Sequence, residues 1–261
     1  MIASAELKSA STIAAVVGSP GYSLDLRFTP EETARLRALV SNQFSGRLAE
    51  ILPLAQAASS NIEIEDYHLL STQIDHEKAW PKTARILPAA SVAELRGFSV
   101  FRTLERLFGP FDISNEEGIA KEEIYWRIVR PNATTDIGPI HADAWFWDLG
   151  HGATPAGKAR VKIWMAIHAE AGKSGLALYP DSHKRTDWEY VGVLRHGFVK
   201  PQIRTDVATL PRFEFTGQPG GCVLFNDRLL HGGVLNQGER TRISAECTLF
   251  VDAERLALPK P

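Results

Sequence analysis

The chain of 261 residues is 44% hydrophobic and 23% charged, ordinary usage for a globular fold, which disfavours extended disorder, collagen-like repeats and a coiled-coil rod. Its 29 Lys plus Arg against 31 Asp plus Glu leave a formal net charge of -2, with no basic excess to drive binding along a phosphate backbone, so nucleic acid is not expected as a partner. Cys222 and Cys247 make no disulfide framework, no export signal is legible, and no apolar stretch approaches the roughly 18 residues that span a bilayer; a cytoplasmic protein without a transmembrane segment is expected.

Taken in chain order, Thr29-Pro30-Glu31-Glu32 has the form of a capping box with proline at the first helical position, where its missing N–H costs nothing. Leu36, Leu39 and Val40 then recur at helical spacing, which predicts a helix from Pro30 to about residue 54. A second such start, Ser91-Val92-Ala93-Glu94, opens a run carrying Leu95, Phe98, Leu104 and Leu107 that Gly109-Pro110 ends. Residues 58–90 between them carry no decisive pattern. From residue 122 onward short runs rich in Val, Ile, Trp, Tyr and Phe alternate with Gly, Pro, Asn and Asp. Strands are predicted over 123–129, 140–147, 161–169, 176–179, 212–215, 222–225 and 242–251. No helical pattern is interleaved, so a parallel doubly wound sheet is disfavoured. The expected fold is mainly β with outer helices, a double-stranded β-helix or jelly roll. It is expected as one domain over 1–261, with a helical part over 1–110 and a jelly-roll core over about 120–251.

Three pieces of this pattern carry candidate chemistry: His141-Ala142-Asp143, His231 and Arg242. On a strand, residues two apart point to one face, so an imidazole and a carboxylate at i and i+2 can converge on one cation. A histidine from a neighbouring strand would complete two His and one carboxylate on one side of a metal, a set that suits non-haem Fe(II). The bland account of His141 and Asp143 is a hydrogen-bonded pair at the barrel mouth. A rival pair, His168-Ala169-Glu170, runs into a loop and reads as a strand end at the surface. On the last strand Arg242, Ser244, Glu246 and Thr248 share a polar face. In a jelly roll this face can line a wet cavity, where a fixed guanidinium fork holds a carboxylate; on an open sheet it meets water.

The ordered series HAD at 141–143, VKIWMAIHAEAG at 161–172, GLALYPDSHKR at 175–185 and LLHGGVLNQGERTR at 229–242 resembles the phytanoyl-CoA dioxygenase family of Fe(II)- and 2-oxoglutarate-dependent oxygenases, over roughly residues 120–251. The family's Pro-Gly-Ser-His turn reads Pro180-Asp181-Ser182-His183 here, and aspartate is at home in such a turn. The resemblance implies that His141, Asp143 and His231 hold iron and that Arg242, rather than Arg240 in its solvated turn, holds the far carboxylate of 2-oxoglutarate. It also puts His168 and Glu170 outside the metal site. It implies Fe(II), 2-oxoglutarate and O2 as cofactor and co-substrates, and hydroxylation of a small organic molecule with release of succinate and CO2. Halogenating relatives have a small residue in place of the carboxylate ligand, and Asp143 is present. Ligands must bind deprotonated, so activity is expected to fail as pH drops through the histidine range.

Further substrate-site candidates are Trp145 and Trp147 with Phe146, an aromatic wall beside the chelate that core packing explains equally well, and Trp164. Lys162 shares the strand face of Trp164 and His168 and can meet an anion there if that face looks inward; otherwise it is a solvated lysine. Arg127 and Arg130 point to opposite faces of one strand, so at most one reaches the site. His183 reads as structural, and Asn226 and Asp227 as turn residues near His231. The competing functions are a cupin-like metal-dependent isomerase or hydrolase, which would need a further ligand such as His151, and a metal-free binding module. Arg185, Arg195, Lys200 and Arg204 are compatible with an anionic substrate, phosphorylated, carboxylated or CoA-linked, and equally with solvated loop charge. Substrate identity and oligomeric state leave no spacing signature.

Overall fold

Helix α1 (Pro30–Ile51) starts at the predicted capping box: Glu32 N–H donates to Thr29 Oγ1 (3.1 Å) and Thr29 N–H donates to Glu32 Oε2 (3.1 Å). It ends where Leu52 turns extended ahead of Pro53, the residue before proline being pushed out of helical geometry. The computed structural model describes residues 11–52, 62–195 and 198–256, so the predicted extension of this helix through 53 and 54 falls outside the described residues, as does the side chain of Arg195. Leu36, Leu39, Val40, Phe44 and Leu48 form the buried stripe of α1, packed on the sheet below.

The segment 62–88, undecided from sequence, is held by aromatic packing. Phe44 of α1 stacks on Trp80 at 5.2 Å, Tyr67 meets both rings edge-on, and Trp80 leans on Trp126 at 5.4 Å. Within it only the single turn α2 (His76–Ala79) is α-helical. The expected helix from Ser91 is two helices, α3 (Ala89–Arg96) and α4 (Ser99–Phe108), and Ser91 lies inside α3 with Pro88 ahead of the first turn. The break falls at Gly97-Phe98. There Glu32 caps α4 by accepting from Ser99 N–H (2.6 Å), so one carboxylate serves the starts of two helices. Gly109 ends α4 as expected, at φ 73°.

Eleven strands follow among the described residues: β1 (Tyr22–Ser23), β2 (Asp112–Ile113), β3 (Tyr125–Val129), β4 (Lys158–His168), β5 (Leu176–Leu178), β6 (Tyr190–Arg195), β7 (Phe198–Ile203), β8 (Phe213–Phe215), β9 (Cys222–Asn226), β10 (His231–Gly233) and β11 (Arg242–Asp252). The major sheet runs β1-β9-β4-β11-β2 with β3 also on β11, the minor sheet β10-β5-β8, and β6-β7 form a separate hairpin. All named pairings are antiparallel, as the jelly-roll expectation requires.

Period-two alternation divides the major sheet. Ile243, Ala245, Cys247, Leu249, Ile163 and Met165 join the helices in the outer core. Trp164, Val223 and Phe225 face inward, where they pack with Leu176 and Leu178 of the minor sheet. The polar positions of β11 also point in and are buried, Arg242 at 3%, Ser244 at 1%, Glu246 at 6% and Thr248 at 0% exposure, so this face does not meet bulk water.

Two predicted elements differ. Residues 140–147 are not a strand: His141 makes an isolated bridge, after which the chain turns into the short helix α5 (Ala144–Asp148). The carbonyl of Asp227, accepting from Ala144 N–H at 2.9 Å, draws the chain off the sheet there. His168 does not share the face of Lys162 and Trp164, because the register slips at Ile167: Ser244 pairs with Ala166 but Ile243 pairs with His168. The bulge turns His168 to the helical side, 4.0 Å from Glu65 Oε1. Thr29→Ala removes the side-chain acceptor of Glu32 N–H and leaves the backbone bond from Thr29 N–H to the shared carboxylate in place. It is expected to cost about 1 kcal/mol of stability in denaturant unfolding, with the site's ligand binding unchanged.

Candidate metal centre

His141 and His231 face each other across an antiparallel bridge, with His141 N–H to His231 O at 3.0 Å and His231 N–H to His141 O at 2.9 Å. Gly232 permits this approach, since a Cβ there would stand 2.7 Å from Ile140 Cδ1. The strand carrying His231 is braced from behind: Ser182 Oγ accepts from Leu230 N–H (2.8 Å) and donates to Tyr179 O (2.7 Å). Asp181 holds that turn at φ 64°, a left-handed geometry that aspartate tolerates.

Each imidazole is oriented by its own chain. His141 Nδ1 bonds Pro139 O (2.8 Å) and His231 Nδ1 bonds Leu229 O (3.0 Å). A carbonyl oxygen can only accept, so both Nδ1 atoms carry the proton and both Nε2 lone pairs are free. Those Nε2 atoms meet the carboxylate of Asp143, at 3.7 Å (His141 to Oδ1) and 3.5 Å (His231 to Oδ2). One ligand atom from each residue lies within 4.8 Å of the others, and Asp143 Oδ2 is buried without a hydrogen-bond donor. Ligands about 2.1 Å from a shared ion stand about 3 Å apart, so a small contraction would seat a divalent cation. This is the one such group among the described residues.

A buried ammonium completes the electrostatics. Lys162, 1% exposed, lies 3.6 Å from Asp143 Oδ2 and 5.6 Å from the Tyr125 ring centroid. It is not the solvated lysine that the sequence left open. Burial raises the Asp143 pKa, but the Lys162 ammonium and then the two imidazoles more than offset this and hold the carboxyl well below the usual range. Burial would discharge Lys162; Asp143, Tyr125, Glu116 and Glu246 instead keep it charged, its pKa well above normal. Burial pushes His231 down to about 4, so this ligand stays neutral far below the ordinary histidine range.

Arg242 lies on the same inner face, its Nη2 3.9 Å from where a Cβ on Gly233 would stand, two residues along from His231. Its guanidinium sits 5.5 Å over the Trp164 ring, donates through Nη1 to Ser244 Oγ (3.0 Å), and leaves Nε buried without an acceptor. A buried guanidinium with no carboxylate against it among the described residues has the chemistry to receive an anion.

The other sequence candidates divide. Trp164 lines the inner face beneath Arg242, and Arg127 is there too, ion-paired to Glu246. Trp145 is committed to packing, stacked on Tyr190 at 4.4 Å in a cluster with Tyr179, Trp188 and Leu230. Trp147 is half-buried between Phe250 and the Arg160 guanidinium, while Phe146 is the aromatic that meets His141 (5.4 Å). His151 Nε2 bonds Val199 O and stands outside the ligand group, which removes the further ligand a cupin-like site would need. His168 and Glu170 also lie outside it; Glu170 accepts from the backbone of Glu239 (2.8 Å) and Arg240 (2.7 Å) and braces that turn. Arg240 pairs with Asp66, Arg130 with Asp136 and His183 with Val17 O. Glu116 and Tyr125 were not singled out in the sequence; Glu246 was marked there only by the polar face it shares with Arg242.

A jelly roll presenting two neutral imidazoles and one carboxylate to a common point defines the class of non-haem metal oxygenases. The model of the phytanoyl-CoA dioxygenase family matches residues 28–244, and the chain belongs to that family of iron- and 2-oxoglutarate-dependent oxygenases. No curated protein matches the chain. Among solved structures it is similar in fold to the non-haem monooxygenase ThoJ in its apo form, with TM-score 0.56 and 14% identity over 92% of this chain and 77% of that one. It is also similar to EctD from S. alaskensis, solved with 2-oxoglutarate and 5-hydroxyectoine (TM-score 0.55, 16% identity, 94% and 75% covered). A third is SnoK, a non-haem α-ketoglutarate-dependent carbocyclase from nogalamycin biosynthesis (0.52, 15%, 95% and 85%). No described helix is long and apolar enough to cross a membrane.

Two outcomes follow for the metal-free protein. Lys162→Met strands the Asp143 charge and is expected to cost about 3 kcal/mol in guanidinium unfolding, recovered in large part when Asp143→Asn is added. His231 has a folded pKa of about 4 against 6.5 unfolded, so its contribution is complete above about pH 6.5 and is lost as pH falls toward 4; His76, also depressed to about 4 by burial, adds to it. Unfolding free energy measured between pH 7 and 4 should fall along this window, by about 3 kcal/mol per group, and His231→Asn should flatten the curve.

Proposed function

We propose that the protein is an Fe(II)- and 2-oxoglutarate-dependent dioxygenase that hydroxylates a small organic molecule and releases succinate and CO2. His141, Asp143 and His231 hold the iron, and Arg242 holds the far carboxylate of 2-oxoglutarate. The observation that carries this reading is the convergence of three donors from two chain segments, with both Nδ1 atoms already bonded to carbonyls so that both Nε2 atoms are free. When bound, the iron supplies oxygen activation coupled to oxidative decarboxylation of the co-substrate.

The chain's own residues supply position and exclusion of water. His141 and His231 act as fixed neutral donors, and Asp143 brings the single negative charge. Lys162 keeps that carboxylate ionised without competing for the lone pairs of the imidazoles. Arg242 faces no acid of its own, so a carboxylate arriving there gains a charge-assisted fork and relieves a buried cation. Trp164, Val223, Phe225 and Leu178 enclose the region with apolar surface, which strengthens these interactions. An aspartate at position 143, rather than a small residue, favours transfer of oxygen over transfer of halide.

Anaerobic titration with Fe(II) and 2-oxoglutarate is expected to develop a metal-to-ligand charge-transfer absorption at one iron per chain. His141→Ala and Asp143→Ala should abolish it, and Arg242→Gln should raise the 2-oxoglutarate concentration needed by at least tenfold. Folded, iron-loaded wild-type protein lacking the band would refute the reading.

A further inference from the structure

The basic residues around the site are matched to acids with one exception beyond Arg242. Lys82 pairs with Glu116 (2.8 Å) and Glu117 (2.9 Å), Lys162 faces Asp143 (3.6 Å), Arg130 pairs with Asp136 (2.7 Å) and Arg127 with Glu246. Arg85, from the segment that sequence left undecided, has no carboxylate against it among the described residues. Its Nε donates to Trp80 O (3.0 Å) and its Nη1 to Trp126 O (2.5 Å).

Those bonds define where its charge stands. Ile86 bridges to Tyr125, and the Trp126 carbonyl belongs to the peptide that leads into Arg127, so Arg85 lies along the edge of β3 that β11 does not cover. Arg127 projects from the same stretch onto the inner face, opposite Ser244, the residue that receives Arg242 Nη1. The Arg127 side chain keeps 43% of its surface accessible while its partner Glu246 keeps 8%. The Arg127 guanidinium is tethered to Glu246 through Nε and lies 5.4 Å from the Tyr125 ring centroid. Burial, and then repulsion by the Arg127 charge, push Arg85 down to about 10. Holding a loop to two carbonyls requires donors and not a charge, and a neutral side chain would do it without that repulsion.

We propose that Arg85 and Arg127 form an oxyanion-binding subsite for the substrate, so that the molecule oxidised carries a carboxylate or phosphate group. This assignment rests on the oxygenase reading above and is separate from Arg242, which that reading gives to 2-oxoglutarate. Two guanidiniums, each with five N–H donors, match the paired oxygens of such a group, and neither belongs to the His141, Asp143 and His231 group.

Calorimetric binding of hexanoate, hexyl phosphate and neutral hexanamide would test it, on metal-free protein and on protein loaded anaerobically with Fe(II) and 2-oxoglutarate. At least one acid is expected to bind tenfold or more tightly than the amide, and the stronger of the two identifies the anion. Arg85→Gln should remove most of that preference. So should Arg127→Gln combined with Glu246→Gln, which strands no buried carboxylate. Equal binding of acids and amide by the wild type, or an acid preference that persists in both folded variants, would overturn the subsite. Loss of the charge-transfer band in the wild type with the acid preference intact would overturn the oxygenase reading and leave the anion site standing.

Discussion

The main-chain bridge between His141 and His231 is the constraint on which the site depends. Two reciprocal hydrogen bonds, at 3.0 and 2.9 Å, fix the backbones of both histidines in one plane, and each ring is then locked by a carbonyl two residues earlier in its own chain. The rings stand 4.5 Å apart with nitrogen lone pairs already aimed. The approach is possible because position 232 is glycine, and it is maintained because the Ser182 turn supports the strand from the side away from the site. Preorganisation here is a property of the backbone, and the side chains inherit it.

A second principle is the burial of charge inside the roll. The inner face of a jelly roll is ordinarily a place for apolar or neutral groups; here Lys162, Arg242, Glu246 and Asp143 all lie within it, each under 10% exposed. Such charges are tolerated where they compensate one another, and leaving one without its partner is costly. Lys162 faces Asp143, Arg127 faces Glu246, and among these inner-face groups Arg242 has no opposite charge against it in the described residues. Incomplete compensation at that point is the observation on which the proposed co-substrate role of Arg242 rests.

The sequence made the outer architecture legible because its signals are local. The capping box at Thr29, the glycine stop at Gly109 and the alternation along residues 242–251 each depend on neighbours in the chain, and each is present as expected. Ordered motifs also made legible the convergence of His141, Asp143 and His231 and the inward placement of Arg242. What was hidden depended on contacts distant in sequence. Nothing near residue 144 announces that the Asp227 carbonyl will start a helix there, and no pattern marks the extra residue at Ile167 that turns His168 to the other side. The charge state of Lys162 is a property of Asp143, Glu116 and Glu246 arriving from three other elements. Arg85 sits in a stretch with no periodicity because aromatic packing, and not regular structure, holds it.

The short helix α5 joins two parts of the molecule that would otherwise be independent. Asp143 stands at its head, while Trp145, two residues on, stacks against Tyr190 of the β6-β7 hairpin, and the Tyr190 hydroxyl donates to Asp148 Oδ2 at its far end (3.1 Å). The hairpin and the metal-facing carboxylate are therefore attached to one lever of a single turn. The placement of the hairpin and the placement of that carboxylate are thereby joined through one turn of helix, so neither is set independently of the other.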